Sequence, residues 1–113
     1  MDWQVYKEAQ LLFLVVHEIV KKMPKEYRFD IGSQVLRSSL SVILNIAEGS
    51  GKSTDKDFNR YLDIAMGSLY ETLACCDTLK GVKLITEQDF LKLREMIEKL
   101  ASKLGAFKSK LKS

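Results

Sequence analysis

The sequence predicts an all-α fold, an antiparallel up-down-up-down four-helix bundle that residues 1–113 form as a single domain. Three observations predict this fold. Apolar residues recur at steps of three and four in four segments, two Thr-x-x-Asp motifs mark helix starts, and the connections are short. No segment has the apolar–polar alternation of a β-strand, and the sequence contains no internal repeat or low-complexity tract.

The first helix is predicted to run from Asp2, as its N-cap, to about Met23. Its core positions recur every three or four residues: Val5, Ala9, Leu12, Val16, Ile19 and Met23. Further apolar residues make this face wider than one core requires: Leu11, Phe13, Leu14, Val15 and Val20. Pro24 ends the helix because proline disfavours helical geometry at the residue before it.

The second helix is predicted to begin at Asp30, as its N-cap, after a connection formed by Lys25 to Phe29. Its apolar arc covers roughly 200° of the helical wheel, although packing on a single core needs little more than 100°. The surplus width of the apolar arc predicts a second buried surface, most simply a contact with another subunit. The helix is predicted to end at Gly49-Ser50-Gly51, where glycine can adopt left-handed backbone angles.

The third and fourth helices are predicted to begin at Thr54 with Asp57 and at Thr86 with Asp89, and Gly81 closes the third. The core positions of the third helix are Phe58, Leu62, Ala65, Leu69, Thr72, Cys76 and Leu79. Small residues that would let another helix approach closely lie beside them: Gly67, Ser68 and Ala74. The core positions of the fourth helix are Phe90, Leu93, Ile97, Leu100, Leu104, Phe107 and Leu111.

Composition indicates a cytoplasmic protein that does not enter a membrane. Charged residues make up 29% and hydrophobic residues 46% of the chain, which is an ordinary globular balance. The longest apolar run, Leu11 to Val16, is too short for a membrane span or a signal peptide. Cys75 and Cys76 are adjacent and have no further cysteine partners, so we expect reduced thiols rather than a disulfide.

The sequence predicts no catalytic residue, no cofactor and no metal site, and it suggests no small-molecule substrate. Carboxylate-bridged di-iron bundles need Glu-x-x-His on two helices, and His17 is the only histidine. Gly49 to Ser53 is not a phosphate-binding loop, because Ile46 occupies the place of the first glycine and a helix precedes the segment. A serine nucleophile is not predicted either, because the sequence has no second histidine and no glycine-flanked elbow that would expose a serine hydroxyl. The serines considered are Ser38, Ser39 and Ser41.

One set of polar residues follows a narrow arc of the second helix and continues on the third: Gln34, Arg37, Ser41, Asn45, Glu48, Arg60 and Glu71. The set has two interpretations. It forms a recognition or catalytic pocket near one end of the bundle, or it forms a buried hydrogen-bond network that fixes the register of helices or subunits. We favour the network, because buried polar groups are normally paired.

A basic face is predicted on the fourth helix, where four lysines lie within about 40° on the wheel: Lys92, Lys99, Lys103 and Lys110. Lys108 and Lys112 add charge to the tail. Such a stripe favours electrostatic, salt-dependent binding of RNA or DNA phosphates. The alternative is a solvated helix face without a ligand.

Two segments, Gln34 to Ser41 and Asn45 to Gly49, resemble the signature of the bacterial four helix bundle proteins, also called large-subunit (23S) ribosomal RNA intervening-sequence proteins. The resemblance continues in the third helix at Phe58, Tyr61-Leu62, Ile64-Ala65, Gly67-Ser68 and Glu71. It covers essentially the whole chain, and the sequence departs from the pattern at Ile43 and at Gly81-Val82-Lys83.

The resemblance implies an all-helical bundle, commonly a homopentamer, often encoded inside intervening sequences of ribosomal RNA genes. A related accessory protein of diversity-generating retroelements is similar in fold and binds nucleic acid and a reverse transcriptase. We therefore expect a non-enzymatic, self-assembling protein that binds RNA or DNA on the basic face. The alternative is a structural or adaptor module that oligomerises and binds a partner protein without nucleic-acid contact.

Overall fold

The structure, a computed structural model, describes residues 3–112. In chain order the elements are α1 (Trp3–Lys21), α2 (Lys25–Tyr27), a π-helical turn (Arg28–Gly32), α3 (Ser33–Ser50), α4 (Asp55–Gly81) and α5 (Glu87–Ser109). The four long helices are α1, α3, α4 and α5, and no strand occurs between residues 3 and 112. The all-α prediction is therefore confirmed.

The four long helices surround one core, in which α1 packs against α3 and α5, and α4 packs against the same two helices. Lys22, just beyond the end of α1, contacts Asp89 at the start of α5. Glu8 near the start of α1 contacts Lys103 near the end of α5. These two contacts require α1 and α5 to run antiparallel, as an up-down-up-down bundle demands of its first and last helices.

Most predicted core positions are buried. All six positions of the first predicted helix are inaccessible, including Met23, which lies two residues beyond the end of α1. The buried positions of α4 and α5 are Leu62, Ala65, Leu69, Thr72, Cys76, Leu79, Phe90, Leu93, Ile97, Leu100 and Leu104. Phe58, Phe107 and Leu111 are only partly buried and pack at the margin of the core.

Both Thr-x-x-Asp motifs cap helices as predicted. The Thr54 hydroxyl accepts a hydrogen bond from the Asp57 backbone N–H at 3.1 Å, and the Thr86 hydroxyl accepts one from the Asp89 N–H at 3.0 Å. Each threonine thereby satisfies a backbone donor that the first helical turn leaves without a partner. The predicted N-cap of the first helix, Asp2, lies outside the described residues.

The predicted connection from Lys25 to Phe29, with Asp30 as an N-cap, is wrong. Helical backbone begins directly after Pro24 and continues through α2 and the π-helical turn into α3. Proline fixes a backbone angle suited to the start of a helix, so Pro24 ends one helix and begins the next. Gly32 makes the tight turn possible, because a Cβ atom there would lie 2.9 Å from Cγ1 of Val20.

The prediction that α3 ends on a left-handed glycine is also wrong, although the position of its end is right. Gly51 has a right-handed φ of −88°, and no glycine between residues 3 and 112 has a positive φ. The helix tightens instead, and the Gly51 N–H donates to the Glu48 carbonyl at 3.2 Å. The left-handed conformation occurs after α4, at Lys83, whose φ is 64°.

Part of the surplus apolar surface of the first two predicted helices faces solvent. Leu14 of α1 and Leu44 of α3 are each 56% exposed, and Leu11 and Leu40 are exposed beside them. Gly67 on α4 also faces open space, since a Cβ atom there would meet nothing within 4 Å. No described helix combines the length and apolar character needed to cross a membrane.

Candidate nucleic-acid interface and interhelical polar network

Hydroxyl groups link α3 to α4 through two short contacts. Oγ of Ser38 lies 2.8 Å from Oγ1 of Thr72, and Oγ of Ser41 lies 2.8 Å from Oγ of Ser68. The Thr72 hydroxyl also donates to the Ser68 carbonyl at 2.8 Å, and the Asn45 amide donates to the Ser41 hydroxyl at 3.0 Å. The Ser38 hydroxyl can also donate to the Val35 carbonyl, at 3.1 Å, and in each of the two hydroxyl pairs either oxygen can supply the shared proton.

This hydroxyl ladder, formed by Ser38, Ser41, Ser68, Thr72 and the Asn45 amide, fixes how far α3 slides along α4. Ser38 and Thr72 are buried, and a shift of one residue would leave their hydroxyls without each other in the interior. Every buried side-chain nitrogen or oxygen in the described part of the chain has a hydrogen-bond partner. A fully satisfied ladder of this kind specifies packing rather than binding a ligand.

The predicted polar set is divided by the structure. Gln34 donates to Glu71 at 2.9 Å across α3 and α4, and Ser41 and Asn45 belong to the ladder. The other three residues are exposed and take no part in these bonds: Arg37, Glu48 and Arg60. Sequence reasoning missed Ser68 and Thr72 as partners, although a threonine at a core position of α4 was the available signal.

The four lysines of the predicted basic face are all exposed on α5, but they differ in their partners. Lys103 forms an ion pair with Glu8 of α1 at 2.8 Å, and Lys99 forms one with Glu95 at 3.3 Å. Within residues 3–112 no carboxylate lies in ion-pair range of the other two, Lys92 and Lys110. Two of the four charges are thus partly compensated within the chain.

The end of α5 also contacts α4, through the side chain of Lys108 and the backbone of Lys112. The Lys108 ammonium contacts both Asn59 and Asp63 of α4, and the Lys112 backbone N–H donates to the Asp55 carboxylate at 3.1 Å. These contacts hold the end of α5 against the first turns of α4. The positive charge of Lys108 therefore serves packing between helices more than an external anion.

Basic residues with an aromatic partner lie at the turn between α3 and α4, a site that the sequence interpretation did not include as a unit. The guanidinium carbon of Arg60 lies 4.9 Å from the centre of the Tyr61 ring, and the Lys52 ammonium lies 5.1 Å from the same centre. Both distances are within the range of cation–π contacts. The available signal was a basic-aromatic pair, Arg60-Tyr61, close to Lys52.

The thiols are unsuited to nucleophilic catalysis. Burial raises the pKa of the Cys76 thiol to about 12, and the neighbouring Cys75 adds to this shift. Partial burial and the Glu71 carboxylate raise the pKa of Cys75 as well. His17 is exposed and stacks on Phe13. Among the described residues, no group of three histidine, cysteine or acidic side chains is arranged to hold a metal ion.

An open pocket of about 520 Å³ lies where the ends of α1 and α4 meet the start of α5. Three lysines line it, Lys22, Lys80 and Lys83, together with the carboxylates of Glu87 and Asp89. Asp89 is paired with Lys22 at 2.9 Å. The acidic groups offset most of the positive charge, so the pocket has little preference for an anion.

A sequence model of the 23S rRNA-intervening sequence protein family matches residues 1–106 of this chain. The chain belongs to this family. Among solved structures, this chain is similar to a protein of unknown function from the S23 ribosomal protein family of Bacteroides thetaiotaomicron. The TM-score is 0.85 at 21% identity, over 92% of this chain and 97% of the other. This structural similarity confirms the all-α fold. A comparison with curated proteins finds no match.

Proposed function

We propose that this protein is a non-enzymatic, self-assembling bundle that acts as a nucleic-acid-binding accessory protein. The exposed leucines of α1 and α3 carry the proposal, because Leu14 and Leu44 leave apolar surface uncovered on two adjacent helices of a small domain. A second copy of the chain is the occupant that we propose for this surface. A homopentameric ring, which the family resemblance implies, is the proposed form of the assembly.

Light scattering tests the assembly directly. A homopentamer has a mass five times that of the 12.9 kDa chain, and the measured mass should approach that value at micromolar concentration. A monomer under those conditions contradicts the proposal.

The proposed ligand is RNA or DNA, bound through phosphate groups. Lys92 and Lys110 support it, because neither has a carboxylate partner within residues 3–112. The family description, which refers to 23S rRNA intervening sequences, agrees with an RNA-related role. Repetition of the face around a ring would raise the avidity of individually weak contacts.

Fluorescence polarisation with labelled RNA and DNA, at low and at physiological salt, tests this binding. The matched variant changes the four lysines of the basic face to glutamate: Lys92, Lys99, Lys103 and Lys110. Binding that weakens steeply with salt and disappears in the variant supports the proposal.

The second candidate is a structural or adaptor module that binds a partner protein. The ion pairs of Lys103 with Glu8 and of Lys99 with Glu95 favour it, since they reduce the charge that the basic face offers to phosphates. Absence of nucleic-acid binding even at low salt, together with an oligomeric mass, would select this candidate.

A further inference from the structure

The turn between α3 and α4 gathers two cations around one aromatic ring. The Arg60 guanidinium and the Lys52 ammonium lie 4.9 Å and 5.1 Å from the centre of the Tyr61 ring. Sharing one ring holds the two charges in the same neighbourhood. Because both long side chains are already partly ordered on the ring, they lose less conformational entropy when they bind a ligand.

Neither cation is compensated by a carboxylate. Among residues 3–112, no acidic group lies within ion-pair distance of Lys52 or Arg60, whereas Lys99, Lys103 and Lys108 all have such partners. Both side chains are exposed, and the Tyr61 ring beside them is only partly buried. Lys80 and Arg94 also share one ring, that of Phe90, but each has a carboxylate partner, Asp77 and Glu98 respectively. Among residues 3–112, the two cations on Tyr61 therefore differ from the pair on Phe90 in having no such partner.

We infer that Lys52, Arg60 and Tyr61 form a binding site for a single-stranded nucleic acid. The two cations bind consecutive phosphate groups, and an unstacked base packs on the exposed plane of the Arg60 guanidinium. Single strands are bound by this pairing of basic and aromatic groups, because their bases are free to stack on side chains. The inference rests on the proposed nucleic-acid binding and adds to the basic face of α5 a second contact site, which prefers single strands.

Tyr61 acts as a positioning residue for the two cations, and its own place is fixed by the packing of α3 on α4. A Cβ atom on Gly49 would lie 2.8 Å from Cβ of Tyr61, so the backbones of the two helices are in close contact at this point. The ring consequently projects from a closely packed helix pair and not from the turn itself.

Fluorescence polarisation with a labelled single-stranded RNA and with a duplex of the same sequence tests the inference. We expect tighter binding of the single strand. The variants Lys52→Gln and Arg60→Gln should each lower its affinity several-fold and reduce the slope of log affinity against log salt by about 0.7. Tyr61→Phe should bind like the wild type, whereas Tyr61→Leu should lose about fivefold or more.

The matched control is the double variant Lys92→Gln, Lys110→Gln, which removes the two uncompensated lysines of α5. Loss of binding in this control, with wild-type affinity for Lys52→Gln and Arg60→Gln, overturns the inference and leaves the proposed function intact. Equal affinity for single strand and duplex also overturns the inference. No binding of either RNA overturns both. If Tyr61→Leu does not fold, the two exposed glutamine variants still decide the result.

Discussion

Gly49 of α3 lies so close to Tyr61 of α4 that a methyl group on the glycine would sit 2.8 Å from Cβ of the tyrosine. Cδ1 of Phe58 lies at the same distance from that methyl position. The two helices thus meet almost backbone to backbone at the end where a short turn joins them. A glycine is required here because of space, since its backbone angles are helical.

The variant Gly49→Ala should lower the free energy of unfolding by about 1–3 kcal/mol, because the added methyl group forces α3 and α4 apart. Chemical denaturation measures the change. Gly105→Ala is the matched control, since a Cβ atom on Gly105 of α5 meets nothing within 4 Å. The control should gain up to about 1 kcal/mol from its higher helix propensity. Equal effects of the two substitutions would contradict this account of Gly49.

The hydroxyl ladder should respond to substitution as a coupled pair. Ser38→Ala and Thr72→Val should each cost about 1 kcal/mol, because each leaves the other buried hydroxyl with fewer partners. The double variant should cost less than the sum, and a thermodynamic cycle from denaturation measures the coupling. Ser109→Ala, which removes an exposed hydroxyl near the end of α5, is the control. Strict additivity would show that the two hydroxyls do not interact.

Removal of acidic partners should strengthen nucleic-acid binding on α5. Glu8→Gln frees Lys103 and Glu95→Gln frees Lys99, so each should raise RNA affinity at low salt and steepen the salt dependence. Fluorescence polarisation measures both quantities. Glu98→Gln is the control, because Glu98 contacts Arg94 and neither of these lysines. A gain of the same size in the control would indicate a general charge effect instead.

The exposed leucines should control the size of the assembly. Leu14→Glu or Leu44→Glu places a charge on the surface that we propose for subunit contact, so the mass measured by light scattering should fall towards 12.9 kDa. Leu91→Glu is the control, since Leu91 is similarly exposed but lies on α5. An unchanged mass in both α1 and α3 variants would assign the contact to another face.

The buried thiol should make the fold sensitive to alkaline pH. The pKa of Cys76 is raised from 9.0 to about 12, so above pH 9 the unfolded chain releases a proton that the folded chain keeps. Stability from this group is complete below pH 9 and declines between pH 9 and 12, by at most about 1.4 kcal/mol per pH unit. Denaturation at several pH values measures the decline. Cys76→Ala should lessen it, and an unaltered decline in that variant would assign it to other groups.

The helices and their caps were predictable because their signals are local. Thr54 and Thr86 each bind a backbone N–H three residues away, so a short sequence window contains both partners. The start of α3 was not predictable in this way. Asp30 has the residue type of an N-cap, but the π-helical turn depends on the fit of Gly32 against Val20 of another helix. The tertiary contact of Gly32 with Val20 therefore outweighs the preference of Asp30 for an N-cap position.

The candidate sites were predictable only as faces of helices. The wheel correctly grouped the lysines of α5 on one exposed side, but the partner of Lys103 is Glu8, which is 95 residues away in the sequence. The same limit applies to the polar arc of α3. Its partners Ser68 and Thr72 become identifiable only when the register of α3 against α4 is known.

The pattern of helix neighbours has a consequence for folding. The most extensive interhelical contact joins α3 to α4, which a turn of four residues connects, so this pair closes the smallest loop for the largest gain in contact. The contact of α1 with α5 closes a loop of nearly the whole chain, so it has the larger entropic cost of loop closure. We therefore expect folding to begin with the α3–α4 hairpin and to finish when α1 and α5 meet. The predominance of local contacts predicts fast folding, as in other helical proteins.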